Sequence, residues 1–250
     1  MSPPTFLTNS DLLAEATVGS VIQLDATVTH HLRVTRIRPS ENIDIVDGKG
    51  KRLSGVVTSD GEFEVQGIVH EKPPALRITV AQALIKGDRL ERAIEMMTEV
   101  GAQGFIPWQA DHCVVNWSAD KISRNLRKWE SLVHASTEQS RRSFVPHVQP
   151  PMSSSELLAH FDQFDHVVVL EESSDSRGVT RYSGKILVLV GPEGGISESE
   201  RTAFSAANNA ASLTVGTNVL RSATAGVVGL TYLFTSSGEW NTQHVDSVAG

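Results

Sequence analysis

Residues 185–200 read KILVLVGPEGGISESE. After the leading lysine, the run to Val190 is wholly apolar and rich in β-branched residues, which marks a buried strand. Gly191, Pro192, Gly194 and Gly195 break it. Ser197 then stands three residues before Glu200, the spacing of a capping box at a helix start. A strand, a glycine turn and a capped helix in one short stretch form the building step of an α/β fold. Glycines let backbone N–H groups approach a ligand, and a helix N-terminus favours negative charge. The spacing fits neither the Gly-x-Gly-x-x-Gly dinucleotide turn nor a P-loop. Two readings stand here: a ligand-holding loop, or a tight strand-to-helix turn.

The same pattern extends in both directions. A strand over 212–215 leads into GTNVLRSAT (216–224) and a helix over 222–236. Two glycine loops at neighbouring strand ends would form a crevice, the usual ligand position in an open α/β sheet. Upstream, 167–171 reads as a strand after a short helix near 153–161. Further back, 76–85 and 104–108 are strand-like. Between them Asp88 and Glu91 have capping-box spacing, Leu90, Ala93, Ile94, Met97 and Val100 share a helical face, and Gly101 is placed to end the helix. Ile122, Leu126, Trp129 and Val133 form the apolar stripe of a helix over 120–139, with Lys121, Arg124 and Lys128 on its polar face. Alternating strands and helices predict a mainly parallel sheet covered by helices.

The segment 1–70 has a different texture. Short runs at 21–24, 31–37, 42–46, 53–58 and 63–69 read as strands, separated by Pro-Ser, Asp-Gly and Lys-Gly turn signals. This predicts a small β-barrel. Lys72-Pro73-Pro74 breaks the pattern and sets a boundary between a domain over 1–73 and one over 74–250. The tail after Gly238 is polar and reads as frayed.

Composition narrows the class. The chain has 250 residues, of which 40% are hydrophobic and 20% charged. Such usage is not that of a disordered, collagen-like or coiled-coil chain. One cysteine, Cys113, excludes an intramolecular disulfide and a four-cysteine zinc site, and reads as a small buried hydrophobe. No apolar run approaches the ~18 residues of a membrane span. The start lacks a basic segment followed by an apolar core, so a cytoplasmic protein is expected. The net charge of −7 is uneven: residues 1–74 carry −3, residues 75–150 carry +2, and residues 151–250 carry −6. A locally basic middle third is compatible with a nucleic-acid partner despite the acidic total, because salt screens distant charges.

Few side chains stand out as chemical. Arg221 is the only cation after Arg201. Glu138-Gln139-Ser140-Arg141-Arg142 ends the 120–139 helix, where cations either complement the helix dipole or capture phosphate or carboxylate. His30 and His31 have no carboxylate or cysteine at ligand spacing, so no metal is expected. No Gly-x-Ser-x-Gly elbow supports acyl hydrolysis.

In combination, KGDRLERAIEMMTEVGAQGFIPWQADHCVV (86–115), EQSRRSFVPHV (138–148), LVLVGPEGGISESE (187–200) and VGTNVLRSATA (215–225) resemble the RsmE family in order and spacing. These are 16S ribosomal RNA (uracil-N3)-methyltransferases of the SPOUT superfamily. The resemblance runs from about Val28 to Leu233. It implies an N-terminal PUA-like RNA-binding barrel, a C-terminal α/β domain with a deep trefoil knot, a homodimer, 16S rRNA in the small subunit as substrate, and S-adenosylmethionine as methyl donor. It assigns cofactor binding to Leu170, Gly191, Glu193, Gly194, Gly195, Val215, Gly216, Val219, Leu220 and Thr224. Arg142 and Arg221 are implied as stabilisers of a uracil anion, and Glu138 as a proton acceptor. Arg33, Arg36, Arg38, Lys86, Arg89 and Arg141 are the implied RNA contacts. The family's last motif usually reads Leu-Arg-x-Glu-Thr-Ala; here Ala223 stands in the glutamate position. Two alternatives stay open: a related methyltransferase acting on another RNA or at a ribose 2′-hydroxyl, and a non-catalytic RNA-binding relative.

Overall fold

The computed structural model describes residues 3–8, 10–172 and 181–241. The chain divides into two compact units, Met1–Pro73 with Val133–Val145, and Pro74–Leu132 with Pro146–Gly250. The break falls between the prolines of the Lys-Pro-Pro segment. Residues 133–145, which the linear division put in the second domain, belong to the first unit.

The first unit is built on a five-stranded sheet. Its strands are β1 (Thr5–Leu7), β2 (Val21–Ile22), β3 (Asn42–Val46), β4 (Lys51–Val57) and β5 (Phe63–His70), in the order β1-β3-β4-β5-β2. The pair β1–β3 is parallel, the others antiparallel. Ile43, Ile45, Leu53, Phe63 and Val65 point into one core, as period-2 alternation requires. Gly55 marks a bulge. A Cβ there would lie 2.0 Å from the Glu64 carbonyl oxygen, so only glycine fits. The short helix α1 (Ser10–Leu13) follows β1. Residues 31–37, read as a strand, instead end the helix α2 (Ala26–Val34). Asp25 caps this helix by accepting the Val28 N–H at 2.8 Å. Val28 and Leu32, four apart, bury one face.

The second unit is a parallel α/β layer. Its strands are β6 (Leu76–Ala83), β7 (Gly104–Gln109), β8 (His147–Val148), β9 (Met152–Ser153), β10 (His166–Leu170), β11 (Gly184–Val190) and β12 (Ala210–Leu213). The order is β12-β10-β11-β6-β7-β8, with β9 also on β7, and every pair is parallel. The last strand lies two residues earlier than its sequence signal. The helices are α3 (Arg89–Val100), α4 (Ala119–Gln139, whose last turns fall in the first unit), α5 (Ser154–Leu158), α6 (Glu198–Ser205) and α7 (Ser222–Ser237). Asp88 precedes α3 without a side-chain capping bond, so the expected capping box is not formed. Gly101 ends α3 at φ 127°.

α7 packs on α3 and on β6. Added Cβ atoms at Gly226 and Gly229 would lie 2.5 Å from Met97 Sδ and 2.6 Å from Leu170 Cδ1. The small residues of α7 therefore serve packing within the chain. The segment after Gly238 does not fray at once. Glu239 accepts the Leu76 N–H at 2.9 Å, and Trp240 stacks on Phe234; beyond 241 the tail lies outside the described residues. Among the described residues no helix is long and apolar enough to cross a membrane, and no cluster of metal-ligating groups occurs.

Candidate active site

All strands of the second sheet run the same way, so their following loops gather at one edge. A pocket of about 360 Å³ opens there. The two glycine loops are not at adjacent strand ends: β10 lies between β11 and β12, and its end contributes Leu170, Glu171 and Glu172 to the wall. The β11 loop supplies Gly191, Glu193, Gly194 and Gly195; the segment after β12 supplies Val215, Asn218 and Leu220; the first turn of α7 adds Ser222.

The β11 loop is held from behind. The Gly195 N–H donates to the Pro192 carbonyl at 2.9 Å, and φ at Gly195 is +74°. Ser197 and Glu200 form the expected capping box. Glu200 is only 3% exposed, and its carboxylate accepts from the backbone N–H groups of Ser197 and Asp111 and from Ser154 Oγ. Three donors around a buried carboxylate offset its desolvation. Asp111 in turn accepts from Ser197 Oγ at 2.7 Å. His112 Nδ1 lies 3.0 Å from the Gly194 carbonyl oxygen and 3.1 Å from that of Gly195. Two acceptors at one ring nitrogen require Nδ1 to carry the proton. The turn after β7 thus clamps the loop and leaves its other side to the pocket. Cys113, in the same turn, is half-buried, and burial raises its thiol pKa, which keeps it unreactive at neutral pH.

The wall also carries charge that the sequence did not single out. Glu171 Oε1 lies 2.9 Å from Arg201 Nε, but the pair is not aligned as a hydrogen bond, so a buried carboxylate oxygen keeps acceptor capacity beside the pocket. Arg201 also donates to the Ile196 carbonyl at 3.0 Å. Adjacent acids directly after an apolar strand were the available signal for Glu171 and Glu172. Arg201 and Asn218 had none, because only folding brings them to the wall.

Three residues assigned to the cofactor do not line the pocket. Gly216 has φ +81°, Val219 is 72% exposed, and Thr224 is exposed on the first turn of α7. Arg221 is exposed between Leu220 and Ser222, both of which do line it. Ala223 is half-buried and off the wall. Lys86 and Arg89 are exposed just past β6, at the same sheet edge.

The remaining residues belong to the first unit. Arg33, Arg36 and Arg38 are exposed at and just after the end of α2. Arg141 and Arg142 follow the end of α4. Burial lowers the Arg142 guanidinium to about 10, which leaves it charged at neutral pH. The Glu138 carboxylate, read as a proton acceptor, has another occupation: Oε1 accepts the Leu7 N–H at 2.8 Å, and Oε2 lies 3.6 Å from His31 Nδ1. Through Oε1 it ties the helix end to β1.

Residues 71–234 match the RNA methyltransferase domain family. Over 228 residues, 87% of each chain, the protein is 35% identical to ribosomal RNA small subunit methyltransferase E of Mycobacterium bovis. Over 188 residues it is 30% identical to the Bacillus subtilis protein of that name, covering 69% of this chain and 73% of the relative. The crystal structure of the Neisseria gonorrhoeae ribosomal RNA small subunit methyltransferase E bound to S-adenosylmethionine superposes with a TM-score of 0.81 at 28% identity, covering 94% and 98% of the two chains. The chain belongs to the ribosomal RNA small subunit methyltransferase E family.

Proposed function

We propose that this protein methylates N3 of a specific uridine in the 16S rRNA of the small ribosomal subunit, with S-adenosylmethionine as donor. The observation that carries the reading is the pocket at the ends of β10, β11 and β12, lined by three glycines of the β11 loop, Gly191, Gly194 and Gly195. Its volume is about 360 Å³. That is enough for a compact small-molecule ligand in an open-sided cleft. Gly195 lines the pocket, and a Cβ added there would meet nothing within 4 Å. Glu171, Glu172 and Glu193 make the wall acidic, which suits a cationic ligand. Gly191–Gly195, Val215, Leu220 and Glu171 would hold the cofactor, which supplies a methyl group already activated on a sulfonium.

The protein's own task is then alignment and charge. Uracil N3 is a poor nucleophile while protonated and is hidden in a base pair, so the chain must capture single-stranded or splayed RNA. Arg33, Arg36, Arg38, Lys86, Arg89 and Arg141 serve as phosphate contacts. Arg142, a desolvated cation at neutral pH, stabilises the uracil anion as the N3 proton leaves; Arg221, exposed between the pocket residues Leu220 and Ser222, is the alternative donor. Glu138 Oε2, the carboxylate oxygen not held by the Leu7 N–H, is the proposed acceptor of the N3 proton.

The first unit is proposed to be a PUA-like RNA-binding barrel and the second a trefoil-knot SPOUT domain. The knot is supported by β11 lying between β6 and β10 while α7, after β12, returns to β6 and β11. A cytoplasmic homodimer completes the proposal, with the half-buried Val227, Val228, Thr231 and Tyr232 of α7 as its contact face. Nucleoside mass spectrometry of small-subunit RNA from cells with and without the protein tests the whole. Loss of 3-methyluridine supports it; loss of a 2′-O-methylated nucleoside, or no change, refutes it.

A further inference from the structure

The first unit contains a partly buried charge network whose central arginine has no part in the chemistry above. Arg52, on β4, has a side chain only 15% exposed, and all three arms of its guanidinium are engaged. Nη1 donates to Asp44 Oδ2 at 2.9 Å, Nε to Glu71 Oε1 at 2.8 Å, and Nη2 to the carbonyl oxygen of Arg141 at 2.7 Å. The first two partners are acids that hold the fork in place; Ser54 Oγ secures the far oxygen of Asp44 at 2.8 Å. The third arm reaches out of the sheet to the residue before Arg142.

That carbonyl sits at a special point of the backbone. α4 ends with the Arg141 N–H on the Glu138 carbonyl and the Arg142 N–H on the Thr137 carbonyl, the paired bonds of a Schellman motif. The motif needs a left-handed residue, a place glycine usually takes. Arg141 takes it here, at φ 57°. The turn that aims Arg142 is therefore strained and needs outside support. Arg52 supplies it from one side. On the other, Ser143 Oγ donates to the same Glu71 oxygen, the Gly50 N–H donates to the Ser143 carbonyl at 2.9 Å, and the Val145 N–H donates to the Gly48 carbonyl at 3.0 Å.

We infer that Arg52 is a positioning residue for methyl transfer: through Glu71, Ser143 and the Arg141 carbonyl it sets the turn that presents Arg142. The inference rests on the reading of Arg142 as the group facing the uracil. A lysine cannot reproduce the role, because a single ammonium lacks the planar fork that reaches three partners in fixed directions. The charge toward Asp44 would survive, but the hold on Arg141 would not.

The test is a cycle of Arg52→Lys and Arg142→Ala in the full-length protein, with assembled small subunits as substrate. For Arg52→Lys, kcat should fall about 10- to 100-fold, as expected when a catalytic group shifts by about an ångström. The KM for subunits and the Kd for S-adenosylmethionine should stay within about twofold of the parent. In the Arg142→Ala background, Arg52→Lys should cost less than about twofold more, because its target is already gone. Ser143→Ala, which removes one strut and keeps every charge, should show the same kcat-only loss in smaller measure, and it decides the matter if Arg52→Lys does not fold. Normal turnover in Arg52→Lys, or a loss that multiplies with that of Arg142→Ala, overturns the inference and leaves the role of Arg142 intact. Normal turnover in Arg142→Ala overturns the reading of Arg142, and the inference with it.

Discussion

Replacing Arg142 with methionine should stabilise the protein while stopping its chemistry. Methionine keeps most of the unbranched stem that packs beneath the guanidinium but has no charge to desolvate. Burial lowers Arg142 from the ordinary arginine range to about 10. Such a depression is worth roughly 3 kcal/mol of unfavourable burial at most. Lost polar contacts take back part of this, so a net gain of about 1–2 kcal/mol is expected, or about 2–8 °C in Tm for a chain of this size. The sign with pH follows from proton binding. Between about pH 10 and the ordinary arginine range the unfolded chain binds one proton more than the folded one, so the parent gains stability as pH rises. The advantage of the methionine variant should be full at pH 7 and shrink above pH 10. Single-turnover methylation of small subunits should meanwhile fall about 100- to 1000-fold, the usual cost of losing one donor to a developing anion. Urea melts at pH 7 and pH 10.5, run beside the rate assay, check both halves. A variant that melts lower than the parent yet turns over normally would falsify the argument and make Arg142 a helix cap.

Three further outcomes are expected. Gly195→Val should weaken S-adenosylmethionine binding tenfold or more, which calorimetric titration would read as a loss of about 1.4 kcal/mol or greater. A β-branched residue at φ +74° is strained and distorts the loop that lines the pocket; unchanged affinity would make the loop only a turn. Glu200→Ala strands the donors of Asp111, Ser154 and Ser197 and should cost about 2–4 kcal/mol in urea melts, with cofactor affinity falling in parallel as the β11 loop loosens; a loss under about 1 kcal/mol would show that water replaces the carboxylate. Arg33→Ala should weaken RNA binding, lower the slope of log K against log salt by about 1, and leave turnover at saturating substrate unchanged; an unaltered slope removes Arg33 from the phosphate contacts.

Local signals in the sequence were strong wherever one segment contains its own explanation. The strand, glycine turn and Ser197–Glu200 capping box around residue 191 require only neighbours in the chain, and each forms as its residues dictate. Gly101, Gly195 and Gly216 mark positions where positive φ excludes most other residues. The sequence misleads where local preference is overruled from a distance. Residues 31–37 are β-branched and basic enough to pass for a strand, yet Asp25 caps a helix there and Val28 and Leu32 turn it into the core. Asp88 and Glu91 have the spacing of a capping box and form none; Glu91 pairs with Lys128 instead.

The sequence by itself determined the class of each half, the break at Pro73–Pro74 and the loop at 191–195, because periodicity, prolines and glycines act over a few residues. Tertiary structure alone decided that β10 lies between the two glycine loops and lends Glu171 to the pocket, since strand order is a property of the sheet and not of any segment. It also decided the fate of residues 133–145. A helix that reads as continuous from 120 to 139 ends in the first unit, bound there by Arg52 and by Glu138 on the Leu7 N–H, partners 89 and 131 positions away. No pattern within the helix encodes those partners, because a buried charge is satisfied by whichever donor the fold brings to it.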